Sequence, residues 1–216
     1  MAREQIPEAT IQRLPAYLRC LLQFQEDRRP VVNSVDIASI CGTNAAQVRK
    51  DLSYLGELGT RGIGYDVEAL IAHMSRVLGI TERRRAAIVG YGRLGGALLG
   101  YSGFPERGFQ IVAVFDADPD KIGASVCAAE SATPLEVLSV DELERGLADS
   151  GAEIAIMATP ARVTQQLTDR VVAAGVKAVL NLAPVLLTVP DDVVVRQVCL
   201  STDLQVLSFH LARAAL

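Results

Sequence analysis

Tryptophan is absent from this 216-residue chain, phenylalanine and tyrosine supply five residues each, and histidine supplies two. Two histidines leave little for metal ligation or proton relays. The four cysteines, Cys20, Cys41, Cys127 and Cys199, are scattered without a C-x-x-C pair or a nearby histidine. Neither a zinc site nor a disulfide framework is therefore expected, and reduced thiols of a cytoplasmic protein are. No run of 18 apolar residues occurs, which removes a spanning helix, and the start Met1-Ala2-Arg3-Glu4-Gln5 carries no apolar signal-peptide core. Internal repeats and low-complexity stretches are also missing. No sign of charge dominates: residues 1–84 carry 11 Lys/Arg and 10 Asp/Glu, and residues 85–216 carry 10 and 15. The front segment is too balanced to announce nucleic acid by charge, although affinity depends on where a few cations sit. With 50% hydrophobic residues and 5% aromatics, the core must be built of Ala, Val, Leu and Ile, in one large domain or two small ones.

What is present begins with the run Ala86 to Val89, which ends in Gly90-Tyr91-Gly92-Arg93-Leu94-Gly95 and passes into a helical pattern, Leu94 to Leu99. A second apolar run, Ile111 to Phe115, ends at Asp116, 21 residues after Gly95. Strand, G-x-G-x-x-G, helix, strand and acid in this order form the dinucleotide fingerprint of a βαβ unit. Gly90 permits the tight turn, Gly92 lets the backbone approach a pyrophosphate, and Gly95 lets the helix pack on the strand. Arg93 and Leu94 open the helix whose N–H groups face the phosphates. Asp116 can accept hydrogen bonds from the adenosine ribose and repel a 2′-phosphate, with Lys121 able to soften that preference. Further runs at Glu153–Ala158 and Lys177–Leu182, separated by a helical pattern from Ala161 to Ala174, predict a parallel sheet covered by helices.

About 85 residues precede this unit, and they read as mostly helical. Ile6 to Gln25 has an apolar stripe, with a kink or restart expected at Pro15. Ser34 to Cys41 is a short helix stopped by Gly42, and Thr43-Asn44 leads into a second helix from Ala45 to Leu55, a helix-turn-helix pattern. Gly56 to Gly64 holds four glycines and suits a small hairpin, or wing; Val67 to Leu78 is a returning helix. In such a motif early residues of the second helix reach base edges: Gln47 can pair with adenine, and Arg49 or Lys50 with guanine. Thr43 or Asn44 caps that helix, and Thr60 and Arg61 sit at the wing tip. Arg83-Arg84-Arg85 reads as a solvated linker. The expected domains are 1–84 (winged helix), 85–201 (Rossmann-like) and 202–216, a terminal helix whose apolar side predicts packing on something else.

Arg49-Lys50-Asp51-Leu52-Ser53-Tyr54-Leu55-Gly56 and Gly59-Thr60-Arg61-Gly62-Ile63-Gly64-Tyr65 resemble the bacterial redox-sensing repressor Rex family. The likeness continues through the glycine fingerprint, Tyr101-x-Gly103-Phe104, Phe115-Asp116-Ala117-Asp118-Pro119, Asn181-Leu182-Ala183-Pro184 and Leu207-Ser208-Phe209, essentially the whole chain. The resemblance implies a homodimer that pairs a winged-helix domain with a Rossmann-like domain, binds palindromic operator DNA and is released by NADH, with NAD⁺ held more weakly. It also implies that Thr159, Pro160, Asn181, Ala183 and Pro184 line the crevice beside the nicotinamide. Tyr101 would lie near that ring at the subunit boundary, and the terminal helix would cross onto the partner subunit. In the family an arginine matching Arg19 meets an aspartate before the terminal helix. Here Cys199 stands at that position, so either Asp203 substitutes or other contacts serve.

Two other classes fit parts of the sequence. An NAD-dependent oxidoreductase would need a substrate domain and a proton donor beside the nicotinamide. The chain offers about 130 residues from Ala86 onward, with His210 in the tail and His73 before the unit. A CoA- or nucleotide-binding structural module would account for the glycines but leave Arg49, Lys50 and the wing without a role.

Overall fold

The computed structural model describes residues 6–56, 58–60, 62–129, 131 and 133–214. Two compact units divide the chain, Met1–Glu82 and Arg83–Leu216. The first is built on helix α1 (Glu8–Glu26), whose Leu14, Tyr17, Leu18, Leu21 and Phe24 are buried. The helix does not restart at Pro15 but runs through it unbroken. A proline inside a helix costs about 3 kcal/mol. Each buried leucine or aromatic side chain on the same face returns about 1.5–3 kcal/mol, so packing decides. Helices α2 (Ser34–Cys41) and α3 (Ala45–Ser53) follow, and Gly42 between them takes the left-handed conformation at φ 63°. Asn33 caps α2 in a box with Asp36. Asn44 caps α3 by accepting from the Gln47 N–H at 2.8 Å.

Strands β2 (Gly59–Thr60) and β3 (Gly64–Asp66) pair antiparallel as the wing. A third strand that periodicity does not reveal, β1 (Val31–Val32), joins the other edge of β3. Two residues are too short to show an alternation. Helix α4 (Val67–Val77) then closes the unit's core with Val67, Leu70 and Met74.

The second unit is a seven-stranded sheet. Strands β4 (Arg84–Val89), β5 (Phe109–Asp116), β8 (Ile154–Met157), β9 (Ala178–Asn181) and β10 (Val194–Gln197) run parallel. β7 (Leu135–Ser139) continues this parallel set beside β5, and β6 (Ser125–Val126) adds an antiparallel edge. The order is β10-β9-β8-β4-β5-β7-β6, so the chain steps outward from β4 in both directions. Alternate residues serve opposite faces. Ala87, Val89, Ala113, Phe115, Ala155 and Met157 pack under α7 (Leu143–Ser150) and α8 (Ala161–Ala173). Ala86, Ile88, Ile111, Val114 and Ile156 face α5 (Arg93–Leu99) and α6 (Gly103–Glu106).

Two of the three arginines expected in a linker are strand residues. Arg84 and Arg85 pair with Phe109 and Gln110, Arg84 bridges Glu153 at 2.7 Å, and Arg85 donates to the Ser150 carbonyl. Backbone pairing at the start of this interior strand tolerates their charge because both side chains still reach solvent. The terminal helix α9 (Leu200–Ala214) starts two residues earlier than the expected 202, and its residues 201–213 are all exposed, including Leu204, Leu207, Phe209 and Leu211.

Candidate functional site

The carboxyl ends of β4 and β8 adjoin where strand order reverses, which is where open parallel sheets leave a crevice. Gly90, just past β4, has φ 101° and lies so close to β8 that a Cβ would stand 2.5 Å from the Ala158 carbonyl oxygen. Its N–H donates to the Phe115 carbonyl at 2.8 Å. A Cβ on Gly95 would stand 1.9 Å from the Gly90 carbonyl oxygen, so the first turn of α5 rests on the glycine loop. Gly92 is different: nothing lies within 4 Å of where its Cβ would be. The backbone there is open to an approaching group, beside the exposed Arg93 and Leu94 that begin α5. This is the cradle that a pyrophosphate requires, and the residues fit a dinucleotide.

Asp116 ends β5 and is 8% exposed. Its Oδ2 accepts from the Tyr91 N–H at 2.6 Å, and its Oδ1 from the Asp118 N–H at 2.9 Å and Lys121 Nζ at 3.4 Å. The acid thus ties the glycine loop to the next strand, a task that its spacing does not reveal. Lys121 also bridges Asp118 at 3.2 Å, and the N–H of Asp120 and that ammonium hold the Asp118 carboxyl below its usual range.

Thr159 and Pro160 leave β8 beside Gly90, with Thr159 Oγ1 2.9 Å from Thr164 Oγ1. Asn181 is fully buried and holds its loop: Nδ2 donates to the Val185 carbonyl and Gln197 Oε1, and Oδ1 accepts from the Ala183 N–H. Ala183 is buried behind it, and Pro184 is exposed. Of this group Thr159, Pro160 and Pro184 reach the surface, and all three are uncharged.

Tyr101 is not brought to this crevice within one chain. It sits beyond α5, its ring edge-on to Phe104 at 5.2 Å and over Gly103. There it borders a cavity of about 250 Å³ with Ala86, Phe109, Ile111 and Ile154, toward the amino ends of the strands. A seven-residue helix running back along the sheet carries it to that opposite end.

In the first unit the helix-turn-helix leaves Arg49 and Lys50 exposed on α3, with Thr43 half-buried and Asn44 exposed at its start. Arg49 Nη1 donates to Ser34 Oγ at 2.9 Å, so α2 steadies this guanidinium. Thr60 is exposed in the wing, whereas Arg61 lies outside the described residues. Gln47 is half-buried and engaged by Asp51 on its own helix, at 2.9 Å.

Sequence reasoning missed Asp51. This aspartate is fully buried, yet it accepts from Arg13, Tyr17, Thr10 and Gln47. Burial pushes its pKa up, but these bonds prevail and hold it at about 2. Burial, with the adjacent Asp51 charge, pushes the Tyr17 phenol up to about 12. A buried acid in α3 with an arginine, a tyrosine and a threonine on one face of α1 was the available signal.

Of the switch candidates, Arg19 is exposed on α1, and Asp203 lies in the first turn of α9. Cys199 precedes that helix, where hydrogen bonds from Ser201 and Thr202 lower its thiol to about 7. All four cysteines are free thiols, and burial raises Cys20 to about 12. Among the described residues no His/Cys/Asp/Glu cluster could hold a metal, and no helix is long and apolar enough to cross a membrane.

Comparison with known proteins finds two family models along the chain. Residues 5–53 match the family model described as "Putative DNA-binding protein N-terminus", and residues 81–185 match the CoA binding domain. The redox-sensing transcriptional repressor Rex of Streptomyces avermitilis is 50% identical over 97% of this chain and 81% of its own length. That of Carboxydothermus hydrogenoformans is 47% identical over 96% of this chain and 97% of its own. The crystal structure of RSP in complex with beta-NAD+ and operator DNA superposes with a TM-score of 0.88 at 33% identity, covering 97% of this chain and 94% of that one. RSP in complex with beta-NADH gives 0.85 at 32%, covering 98% and 96%. A glycine-cradled crevice on a Rossmann-like sheet, preceded by a winged helix-turn-helix and matched nearly end to end by these relatives, places the chain in the redox-sensing transcriptional repressor Rex family.

Proposed function

We propose that this chain represses transcription by binding palindromic operator DNA through α3 and the wing, and that NADH in the crevice of the second unit releases it. The observation that carries this reading is the presence, in one chain, of a capped recognition helix with Arg49 and Lys50 exposed and a glycine cradle open at Gly92. Both kinds of site belong to the family's known complexes, one with beta-NAD+ and operator DNA and one with beta-NADH.

The discrimination follows from charge. NAD⁺ and NADH share their adenosine and pyrophosphate, but the nicotinamide ring is cationic in the first and neutral in the second. A ring lying against Thr159, Pro160 and Pro184 meets no carboxylate, and a cation that gives up water without a counter-charge is penalised. NADH therefore binds better to the conformation that it fills. Its differential affinity for the DNA-free state sets how far the equilibrium moves. The protein acts as a regulator, not an enzyme. The molecule works as a homodimer in the cytoplasm, with α9 of each subunit covered by the other and Tyr101 reaching a nicotinamide across the boundary. The exposed apolar residues of α9 and the position of Tyr101 at the opposite end of the sheet support that arrangement.

The test is fluorescence anisotropy on a palindromic promoter duplex, titrated with NADH and then NAD⁺. NADH should release the duplex at a lower concentration than NAD⁺; equal release by both refutes the mechanism. Asp116→Ala removes three hydrogen bonds made by one carboxylate, including the one that orders the loop at Tyr91. Charge-assisted bonds are each worth about 1.5–3 kcal/mol, so the NADH concentration for half-release should rise about 10–100-fold. DNA affinity without NADH should stay as in the wild type.

A further inference from the structure

We infer that Asp51 is a positioning residue for operator reading: it holds the Gln47 amide with its nitrogen turned inward, so that α3 offers the Gln47 carbonyl oxygen to a base bearing an exocyclic amine. This rests on the proposed assignment of α3 as the recognition helix. The anchor is built from three turns of another helix. Thr10, Arg13 and Tyr17 share one face of α1, and Arg13 grips the carboxylate at both ends, Nε to Oδ2 at 2.6 Å and Nη2 to Oδ1 at 2.7 Å. Tyr17 adds a bond to Oδ2 at 2.8 Å and Thr10 one to Oδ1 at 2.9 Å. With the carboxylate locked and fully buried, its remaining bond goes to Gln47 Nε2 at 2.9 Å.

The orientation of that amide follows from chemistry. An ionised carboxylate only accepts, so the face of Gln47 toward Asp51 must be the NH₂ end. The carbonyl oxygen is left for the outside, at the third position of α3, where helix-turn-helix proteins meet base edges. A free glutamine in the major groove can present either end. One pinned in this way selects for a donor, which only adenine N6 and cytosine N4 supply there. Asp51 thus acts on the DNA through Gln47 without touching it.

The experiment uses the full-length protein and palindromic duplexes selected by the wild type from a randomised pool. Affinity for the selected duplex is divided by affinity for random-sequence DNA, and the best duplex is substituted base by base. Gln47→Ala should lower the ratio about tenfold and flatten preference at one position per half-site, where the wild type requires adenine or cytosine. Asp51→Asn, whose amide can both donate and accept, should lower the ratio at that same position. The double variant should lose no more than the larger single loss, because both act through one contact. A role for Asp51 in stability alone would weaken selected and random binding equally and leave the ratio unchanged, which overturns the inference. So does Gln47→Ala with base preference intact at every position, a result that stands even if Asp51→Asn fails to fold. If the wild type selects no duplex at all, the repressor reading falls and this inference with it.

Discussion

Replacing Gly95 with alanine should yield a repressor that still grips its operator but no longer lets go when NADH is added. The methyl group would stand 1.9 Å from the Gly90 carbonyl oxygen, far inside contact distance, and that oxygen belongs to backbone that cannot swing aside. Gly90 is itself hemmed in, with φ at 101°, its N–H bonded to Phe115, and the Ala158 carbonyl 2.5 Å from where its own Cβ would be. The strain therefore passes to the start of α5, shifting the N–H groups that would face the pyrophosphate. Overpacking of this kind costs about 1–3 kcal/mol of stability. Misaligning two charge-assisted bonds of about 1.5–3 kcal/mol each weakens NADH by at least about 100-fold. The elements proposed to contact DNA belong to the other compact unit, so affinity for the operator should stay within about twofold of wild type. Calorimetry with NADH and anisotropy with the duplex read the two effects separately. An NADH affinity close to that of the wild type would show that the loop has room the geometry denies.

Asp51→Ala should rank with core truncations among the most destabilising single changes in the first unit. Removing the carboxylate leaves a guanidinium, a phenol, a hydroxyl and an amide facing one another with no acceptor. Breaking one partner of a buried ion pair costs about 3–5 kcal/mol. That is a large part of the 5–15 kcal/mol that ordinarily holds a domain together. The same group makes stability depend on pH. Its carboxyl titrates at about 2 in the folded chain, against about 3.9 when unfolded. The stabilisation is complete above about pH 4 and disappears as pH falls toward 2, because the unfolded chain takes up the proton first. Urea denaturation followed from pH 6 to pH 2 should show Asp51→Asn converging on the wild type as the solution becomes acid. Parallel curves over the whole range would mean that the buried carboxylate is not ionised. Glu144, held at about 2 by Arg170 in the second unit, adds a slope of its own that both proteins share.

Much of the nucleotide site was legible because glycine fingerprints are local. Gly90, Gly92 and Gly95 each answer a constraint set by immediate neighbours or an adjoining strand, and the structure shows a turn, an open approach and a close contact in that order. The turn of the helix-turn-helix was equally readable, since Gly42 in a left-handed conformation and Asn44 as a cap need only their own segment. Less visible were the short strands, β1 above all, because two residues carry no period. The arginines at 84 and 85 were misjudged because charge suggests solvent, whereas strand pairing constrains only the backbone.

Tyr101 and Gln47 mark the boundary more sharply. Family likeness attaches Tyr101 to the nicotinamide, but only the direction and length of α5 reveal that one chain carries it to the far end of the sheet. Spacing makes Gln47 a candidate base reader, whereas its partner Asp51 is fixed by three residues of α1 that lie 34 to 41 positions away. The amino-acid order alone therefore determined the modules, their succession and the phosphate loop, all of which follow from backbone conformation and hydrophobic period over a few residues. Tertiary packing decided which polar side chains are free to meet a ligand and which are spent inside, because a hydrogen bond between distant segments exists only once hydrophobic burial has brought them together.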